Sequence, residues 1–429
     1  MLQDDDKKTK KTAVGQIANA KVSDDKQPKL PWMFSWAMFM APMIWYGPTV
    51  GVRNTLIPQL FSQIDSANKV WAYGIIGAVA TLVSAITNLL FGALSDVTRT
   101  RWGKRKPYIV LGTLIMAGSL VAVANCKSVV AVILVWIIDA SAENAIAASI
   151  YPQISDRIAP KWRGTVSTFY GVGFTISQQG FTILAAQFLG NVKYGIYTMA
   201  AIAVVLGIIH LFLSNEQGNL DEPKIKLSKE TFKKYFFIPT KGAHDFYLAL
   251  FGKFFMVVGS TIVTTYLLYI FTDYMGLNSS QAGHSVSIFS TLMLVIGVTF
   301  ALIAGPLADR AKRIKLPVTI ATFLLGFAAL FPLFAVHPWA MYVYGVIAAV
   351  GNGIYNSVDG ALNLDVLPSS DTAGKDLGLI NLANTLSQMV GSISASAIVS
   401  TWGYHAIFIF AVGMEIIGGC LIAAIKSVK

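Results

Sequence analysis

Long apolar runs recur along almost the whole chain and constrain its fold more than any other feature. Twelve stretches of about 20 residues are apolar enough to cross about 30 Å of hydrocarbon as helices. Only 13% of the residues are charged, about half the share that soluble domains carry. The sequence therefore predicts an all-α integral membrane protein with twelve transmembrane helices. The predicted spans are 33–58, 70–94, 107–126, 129–151, 165–189, 194–213, 245–273, 281–304, 316–336, 339–364, 377–401 and 405–425.

Basic residues are distributed unequally between the two sides of this predicted bundle. Of the 33 Lys and Arg residues, Arg53 and Lys253 lie within spans, and Lys69, Lys127 and Lys193 lie in connections on one side. All the others lie on the side of the two termini, which an even number of spans places together. Because basic loops stay in the cytoplasm, we expect both termini to be cytoplasmic in a cell-membrane protein. The net charge of +11 then has a topological cause, and no nucleic-acid partner is expected.

The longest connection divides the spans six and six. We expect an N-terminal tail at 1–31, a first half at 32–213, a cytoplasmic loop at 214–244 and a second half at 245–429. The run FGALSD, which ends at Asp96, is echoed by AGPLAD, which ends at Asp309. Each copy follows the second helix of its half. Such a parallel repeat is typical of secondary transporters, which bind substrate between the halves near the midplane.

A charged motif is built around each copy of this repeat. The glycine lets two helices approach closely, and the aspartate stands at a helix end among guanidinium groups. Ion pairs that form only when helix ends meet would make a conformational latch; the alternative is a basic loop that only fixes topology. The predicted latch residues are Gly92, Asp96, Arg99, Arg101, Gly103, Lys104 and Arg105 in the first copy and Gly305, Asp309, Arg310 and Arg313 in the second.

This motif resembles the signature loop of the major facilitator superfamily, and the resemblance covers all twelve spans. The long form SDVTRTRWGKRKP at 95–107 and the run DGALNLDVLP at 359–368 are similar to those of glycoside–cation symporters, the group of melibiose permease and plant sucrose carriers. The resemblance implies a major facilitator fold and cation-driven sugar transport. Melibiose permease places sodium-binding carboxylates in its second helix, whereas 70–94 contains none here. We therefore expect protons as the coupling ion.

Ionisable residues inside spans cost about 2.5 to 3.5 kcal/mol each, so they usually face a polar pathway. The resemblance makes the first, fourth, seventh and tenth helices the cavity-lining ones, and each carries a charge. Two carboxylates of the fourth helix are spaced i, i+4, about 6 Å apart on one face, and resist double ionisation. The predicted ion-coupling residues are Asp139, Glu143 and Asp359. The alternative is a structural network that fixes the carboxylates through Asn144, Ser141 or an opposing cation.

Substrate contacts are expected from cations, amides and aromatic side chains on the same helices. The predicted set is Arg53, Tyr46, Gln178, Lys253, Tyr355, Asn356, Asn381 and Asn384. Each has a structural alternative: amides join helices, Arg53 can snorkel to the interface, and Lys253 can pair with Asp359. Glu415 lies off the expected cavity, as a packing or lipid-interface residue.

The sequence thus predicts a monomeric secondary transporter without a cofactor, which moves a small molecule, a sugar or glycoside, by proton symport. The alternative substrate is an amphipathic organic anion such as a bile salt, neutralised by Arg53 and Lys253. A polytopic membrane enzyme is more remote, because the five histidines are scattered with no two at ligand spacing. A channel would not need a latch in two copies.

Overall fold

The computed structural model describes residues 24–220, 243–311, 314–366 and 373–426. Within those ranges it contains twelve helices of at least 18 residues, α1 to α12, each at a predicted span and with ends within eight residues of the predicted ones. They are α1 (Trp32–Gly51), α2 (Lys69–Val97), α3 (Lys106–Val123), α4 (Val129–Ile150), α5 (Pro160–Ala186), α6 (Val192–Ser214), α7 (His244–Thr265), α8 (Ser279–Ala311), α9 (Lys315–Phe334), α10 (Pro338–Asp365), α11 (Ala373–Trp402) and α12 (Tyr404–Ala423).

Two of these helices continue past an irregular turn. A π-helical turn, Val52–Leu56, joins α1 to the helix Ile57–Ile64. Leu267–Tyr269 and a second π-helical turn, Ile270–Tyr274, follow α7. Such turns leave the regular hydrogen-bond ladder and often mark functional sites. They lie at equivalent places, at the ends of the first helix of each half.

Eight of the helices are long and apolar enough to span a membrane by length and composition. The four outside that group are α1, α5, α10 and α11. Proline interrupts α1 at Pro42 and Pro48, and the other three carry most of the amides that the sequence nominates as substrate contacts. Their lower hydropathy therefore comes from the same residues that a polar pathway would need.

Helix packing repeats between the halves. In the first six helices, α1 packs on α5 and α6, α3 on α4 and α6, and α2 on α4. In the second six, α7 packs on α11 and α12, α9 on α10 and α12, and α8 on α10. The same pairs recur at a shift of six helices. The two groups meet through α2 with α11 and α5 with α8, which are themselves equivalent pairs.

The two groups touch closely at only one end of the bundle in the described ranges. We call this the far end, because it lies opposite the helix ends nearest the two termini, which form the termini end. A Cβ on Gly74 would lie 2.4 Å from the Ser396 Cβ. Gly92 lies five helical turns further along the same face of α2, toward the termini end, and a Cβ there would meet no atom within 4 Å. The cleft is therefore closed at the far end and open at the termini end.

Candidate substrate cavity and latch

Hydrogen bonds and an ion pair close the far end. Lys69 Nζ lies 2.8 Å from Asp273 Oδ2. The Tyr266 hydroxyl donates to the carbonyl of Val70 at 2.8 Å, and the Tyr269 hydroxyl donates to the carbonyl of Pro58 at 2.9 Å. The ring of Tyr73 meets both of these tyrosine rings edge-on. We call these residues the far-end gate. The far-end gate was not predicted from the sequence, although Lys69 and Asp273 are isolated charges at helix ends.

On the second half, the open cleft is lined by an ion pair. Lys253 Nζ of α7 lies 2.6 Å from Asp359 Oδ2 of α10. Asn363 Nδ2 donates to the same oxygen at 2.8 Å. Tyr355, one turn before Asp359, is only 3% exposed. The structure thus brings together three residues that the sequence nominated and gives Lys253 a partner of opposite charge.

The first half carries charges that are near each other but not paired. Arg53 lies in the π-helical turn after α1 and interacts electrostatically with Tyr46 and Glu143. Its Nε donates to Asn54 Oδ1 at 3.4 Å, a long hydrogen bond. Among the described residues Arg53 and Glu143 form no ion pair within 4 Å. The Tyr46 ring stacks on Phe174, with centroids 4.3 Å apart.

Asp139 lies one helical turn from Glu143 on α4, and both side chains are buried. Asp139 is fully buried, and the Ser119 hydroxyl of α3 donates to its Oδ1 at 2.7 Å. Its Oδ2 has no hydrogen-bond partner in the described part of the chain. Asn144 turns away and donates to Ser84 at 2.8 Å. Of the structural network considered from the sequence, Asn144 does not bind the carboxylates and Ser119 binds Asp139 instead, while Arg53 is the opposing cation near Glu143.

Ser141 and Glu415 lie away from the cleft. Ser141 donates to the carbonyl of Ile137 in its own helix at 2.8 Å. Glu415 is 2% exposed and accepts from the Ser260 hydroxyl at 3.1 Å. It therefore packs between helices and does not lie at the lipid interface.

Amide side chains continue the face through which the halves meet. On α11, Ser396 and Ser392 contact Gly74 and Gly77 of α2. Gln388 and Asn384 follow at one-turn intervals toward the termini end, so they face the open cleft. By the same spacing, Asn352 and Asn356 share the face of α10 that carries Asp359.

Several of these amide groups are free to bind a ligand. Within the described ranges no hydrogen bond is formed by the side-chain amide groups of Gln178, Gln179, Asn352, Asn356, Asn384 or Gln388. The side chain of Asn381 lies outside the described residues.

The latch residues of the first half form one network. The Arg105 guanidinium donates to Asp96 Oδ1 at 2.6 Å, to Asp156 Oδ2 at 3.2 Å and to the Ser95 hydroxyl. Lys104 pairs with Asp156 at 2.8 Å. Burial alone would raise the pKa of the Asp156 carboxyl. Lys104 and Arg105 lower this pKa by more than burial raises it, so the net shift is downward. Arg99 donates to the carbonyls of Asp96 and Thr98.

The Asp96–Arg105 ion pair joins the end of α2 to the start of α3 within the first half, and it is formed while the cleft is open. The role of this pair as a latch stays a prediction. Arg101 is exposed, and so is Arg310 at the end of α8. The surroundings of Gly305, the side chain of Asp309 and the whole of Arg313 lie outside the described residues. The second copy of the latch therefore stays a prediction.

Two six-helix groups related by a repeat, with a polar cleft between them, define a membrane transporter fold. The chain belongs to the Major Facilitator Superfamily, whose family model matches residues 30–299 and 249–428. It is a transporter of small solutes. A comparison with curated protein sequences finds no match.

Solved structures of transporters share this fold. The nucleoside transporter NupG has a TM-score of 0.67 and 17% identity, covering 92% of this chain and 100% of its own. The human organic anion transporter MFSD10 has a TM-score of 0.65 and 17% identity, covering 91% and 99%. The peptide transporter POT has a TM-score of 0.71 and 15% identity, covering 95% and 97%. At these identities the likeness shows the fold alone.

Proposed function

We propose that the protein imports a neutral, polyhydroxylated small solute, a sugar or glycoside, by proton symport with alternating access. The observation that carries this proposal is the charge state of the cleft. Lys253 and Asp359 form an ion pair, and Arg53 lies near Glu143 without an ion pair, so the cleft holds one cation for each of these two carboxylates. A neutral substrate adds no charge that would have to be compensated in a poorly hydrated site.

Hydrogen-bonding capacity supports the same substrate class. Amides on α10 and α11 face the cleft by their helical spacing, and, like Gln178 and Gln179 of α5, they have no side-chain partner in the described ranges; each offers both donors and an acceptor. Sugar hydroxyls also donate and accept, so they can satisfy these groups. The stacked pair Tyr46 and Phe174 provides an aromatic wall beside them. Specificity among sugars would then depend on which hydroxyls meet an amide.

Proton coupling is assigned to the carboxylates of α4. Glu143 lies near Arg53, and Asp139 lies one turn away with Ser119 as its one hydrogen-bond donor in the described part of the chain. Two such carboxylates in a dry site cannot both be charged at low cost, so one proton is shared between them. Uptake of this proton together with substrate at the far end, and its release at the termini end, would drive accumulation inside.

The second candidate substrate is an organic anion, and one observation favours it. The guanidinium of Arg53 has no carboxylate within 4 Å in the described part of the chain, so an anion could take that place. Lys253 cannot assist in this conformation, because Asp359 occupies it. The sequence predicted two cations for an anionic substrate, Arg53 and Lys253. In this conformation Arg53 alone of these two is available.

The test is uptake by purified protein in lipid vesicles under an imposed proton gradient. Labelled sugars, nucleosides and organic anions are compared at equal concentration, with and without sodium. Saturable, gradient-dependent accumulation of a neutral sugar supports the proposal. Accumulation of anions only, or accumulation that requires sodium and ignores the proton gradient, contradicts it.

Alternating access follows from the arrangement of the halves. We assign the termini end to the cytoplasm from the basic residues there, so the structure corresponds to the state open to the inside. The far-end gate must separate for the opposite state to form. Each six-helix half would move as a unit about the α2–α11 and α5–α8 contacts.

A further inference from the structure

A short segment after α6 holds the loop between α2 and α3 against the first half. We call residues 215–220 the strap and residues 98–106 the signature loop. The strap begins at Asn215, whose φ of 36° lies in the left-handed region. This turn directs the chain away from α6 and back across the signature loop. Residues 221–242 of the long connection follow directly.

Glu216 binds the start of α3. Its Oε1 accepts from the backbone N–H of Arg105 at 3.0 Å, and its Oε2 accepts from that of Lys106 at 2.6 Å. The first amides of a helix have no carbonyl partner within the helix, and the positive end of its dipole favours an anion. Gly103 has a φ of 96°, and a Cβ there would lie 2.5 Å from the Glu216 carboxyl carbon. Glycine at 103 therefore permits this contact.

Asn219 binds the other side of the signature loop. Its Oδ1 accepts from the Thr100 N–H at 3.0 Å, and its Nδ2 donates to the Thr98 carbonyl at 2.9 Å. Its own N–H donates to the Thr100 carbonyl at 3.2 Å. Asn219 is only 7% exposed, so these bonds are shielded from water. All loop atoms bound by Glu216 and Asn219 are backbone atoms, so the strap fixes the path of the loop.

The fixed loop holds Arg105 against Asp96 at the end of α2, beside the open cleft. Asp96 lies one turn beyond Gly92 on the cleft side of α2, and 54% of its side chain is exposed although Arg105 binds one oxygen. Closure of the termini end must bring this region against the second half. A loop that is already ordered loses less conformational entropy when that contact forms.

We infer that Glu216 and Asn219 are positioning residues, which order the signature loop and thereby favour the state closed at the termini end. This inference rests on the alternating access proposed above, but not on the identity of the substrate or of the coupling ion. It gives the first residues of the central connection a direct role in the conformational equilibrium.

The test measures that equilibrium without any substrate. Spin labels are placed at Tyr151 and Leu307, which are exposed at the termini end of the first and second halves. Distances between them are measured by electron–electron double resonance in lipid nanodiscs. Glu216→Gln places a neutral amide against the backbone N–H groups of Arg105 and Lys106. Asn219→Ala removes two side-chain hydrogen bonds. Each should lower the fraction with the short, closed distance about threefold.

Two further variants serve as controls. Glu216→Asp keeps a carboxylate and should restore most of the closed fraction. Gln217→Ala changes an exposed neighbour in the same strap, for which the described residues show no side-chain hydrogen bond, and should leave the distances unchanged. Melting temperatures are measured on the wild type and on all four variants. Lower melting temperatures with wild-type distances in both Glu216→Gln and Asn219→Ala would show a purely structural strap and overturn the inference.

The two proposals fail in different ways. A wild type that never adopts a short distance, under any pH or added solute, would overturn both the alternating access and the positioning role. Failure of the sugar uptake assay alone would leave the distance measurements, and the inference from them, unaffected.

Discussion

Lys69 and Asp273 join the two halves of the protein across the far end, 2.8 Å apart. The Tyr404 hydroxyl donates to the same aspartate at 2.8 Å, and Lys69 lies 5.0 Å from the centre of the Tyr269 ring. The pair connects the end of the first helix of the second half to the start of α2. Separation of the halves at this end must therefore break it.

Loss of this pair should favour the state open at the far end. The side chains of Lys69 and Asp273 are 16% and 23% exposed, so the pair contributes about 1 kcal/mol or less. We expect Asp273→Asn to increase the population open at the far end, by up to about fivefold. A cysteine at Ser396, buried against Gly74 when the gate is closed, should react faster with a maleimide added from that side.

The reactivity assay needs a background without Cys126 and Cys420. Lys127→Gln removes another lysine at the same end and serves as the matched control. Exchange of the two charges, Lys69→Asp with Asp273→Lys, should restore slow labelling. Equal labelling rates in Asp273→Asn and the wild type would remove the pair from the gate.

Asp96→Asn tests the latch. The substitution removes the charge that Arg105 binds and leaves a similar shape, so insertion and folding should persist. We expect the maximal transport rate per folded molecule to fall about tenfold, because Arg105 loses its charged partner at the end of α2 and keeps only neutral acceptors there. Transport by equal amounts of reconstituted protein provides the measurement. Unchanged turnover would mean that the loop only fixes topology.

Glu143→Gln tests proton coupling. The variant should lose accumulation against a gradient and keep counterflow, since exchange of substrate needs no net proton movement. Glu415→Gln is the matched control, because Glu415 is also a buried glutamate in a membrane-spanning helix but lies outside the cleft. Loss of accumulation in both variants, or in neither, would argue against a specific coupling role of α4.

Arg53 and Lys253 distinguish the two substrate classes. Because Asp359 occupies Lys253, we expect Arg53→Gln to weaken binding of an anionic solute about tenfold or more, which is about 1.4 kcal/mol. Binding of a neutral sugar should change less. Lys253→Gln should instead lower the melting temperature, since it leaves Asp359 without its cation. Equal affinity for an anion in the wild type and Arg53→Gln would discard the cationic site.

The pKa of Asp156 predicts how stability depends on acid. A carboxyl whose pKa is lower in the folded than in the unfolded protein stabilises the fold above its unfolded value, about 3.9. That contribution is lost as the pH falls from there through the lower folded value. The melting temperature should therefore drop more steeply below about pH 4 in the wild type than in Asp156→Asn. Parallel curves for the two proteins would show that the Lys104 and Arg105 contacts contribute nothing.

The repeat could be predicted from the sequence, but its contacts could not. Hydropathy located every long helix, because about 20 apolar residues are needed wherever a helix crosses hydrocarbon. The spacing of Asp139 and Glu143 placed them one turn apart, since helix geometry is local. It did not show that Ser119 of another helix binds Asp139, or that Arg53 lies near Glu143. Which way a helix is rotated depends on its neighbours.

The sequence by itself determined the number of helices, their repeat and the charged motif, because hydrophobic length and local spacing are properties of consecutive residues. Only the tertiary structure decided that Lys253 pairs with Asp359 while Arg53 has no carboxylate within 4 Å among the described residues. It also showed that Lys69 meets Asp273 and that Glu216 caps α3. These partners lie about 100 or more residues apart, and two helices acquire a common depth and facing only when the bundle packs.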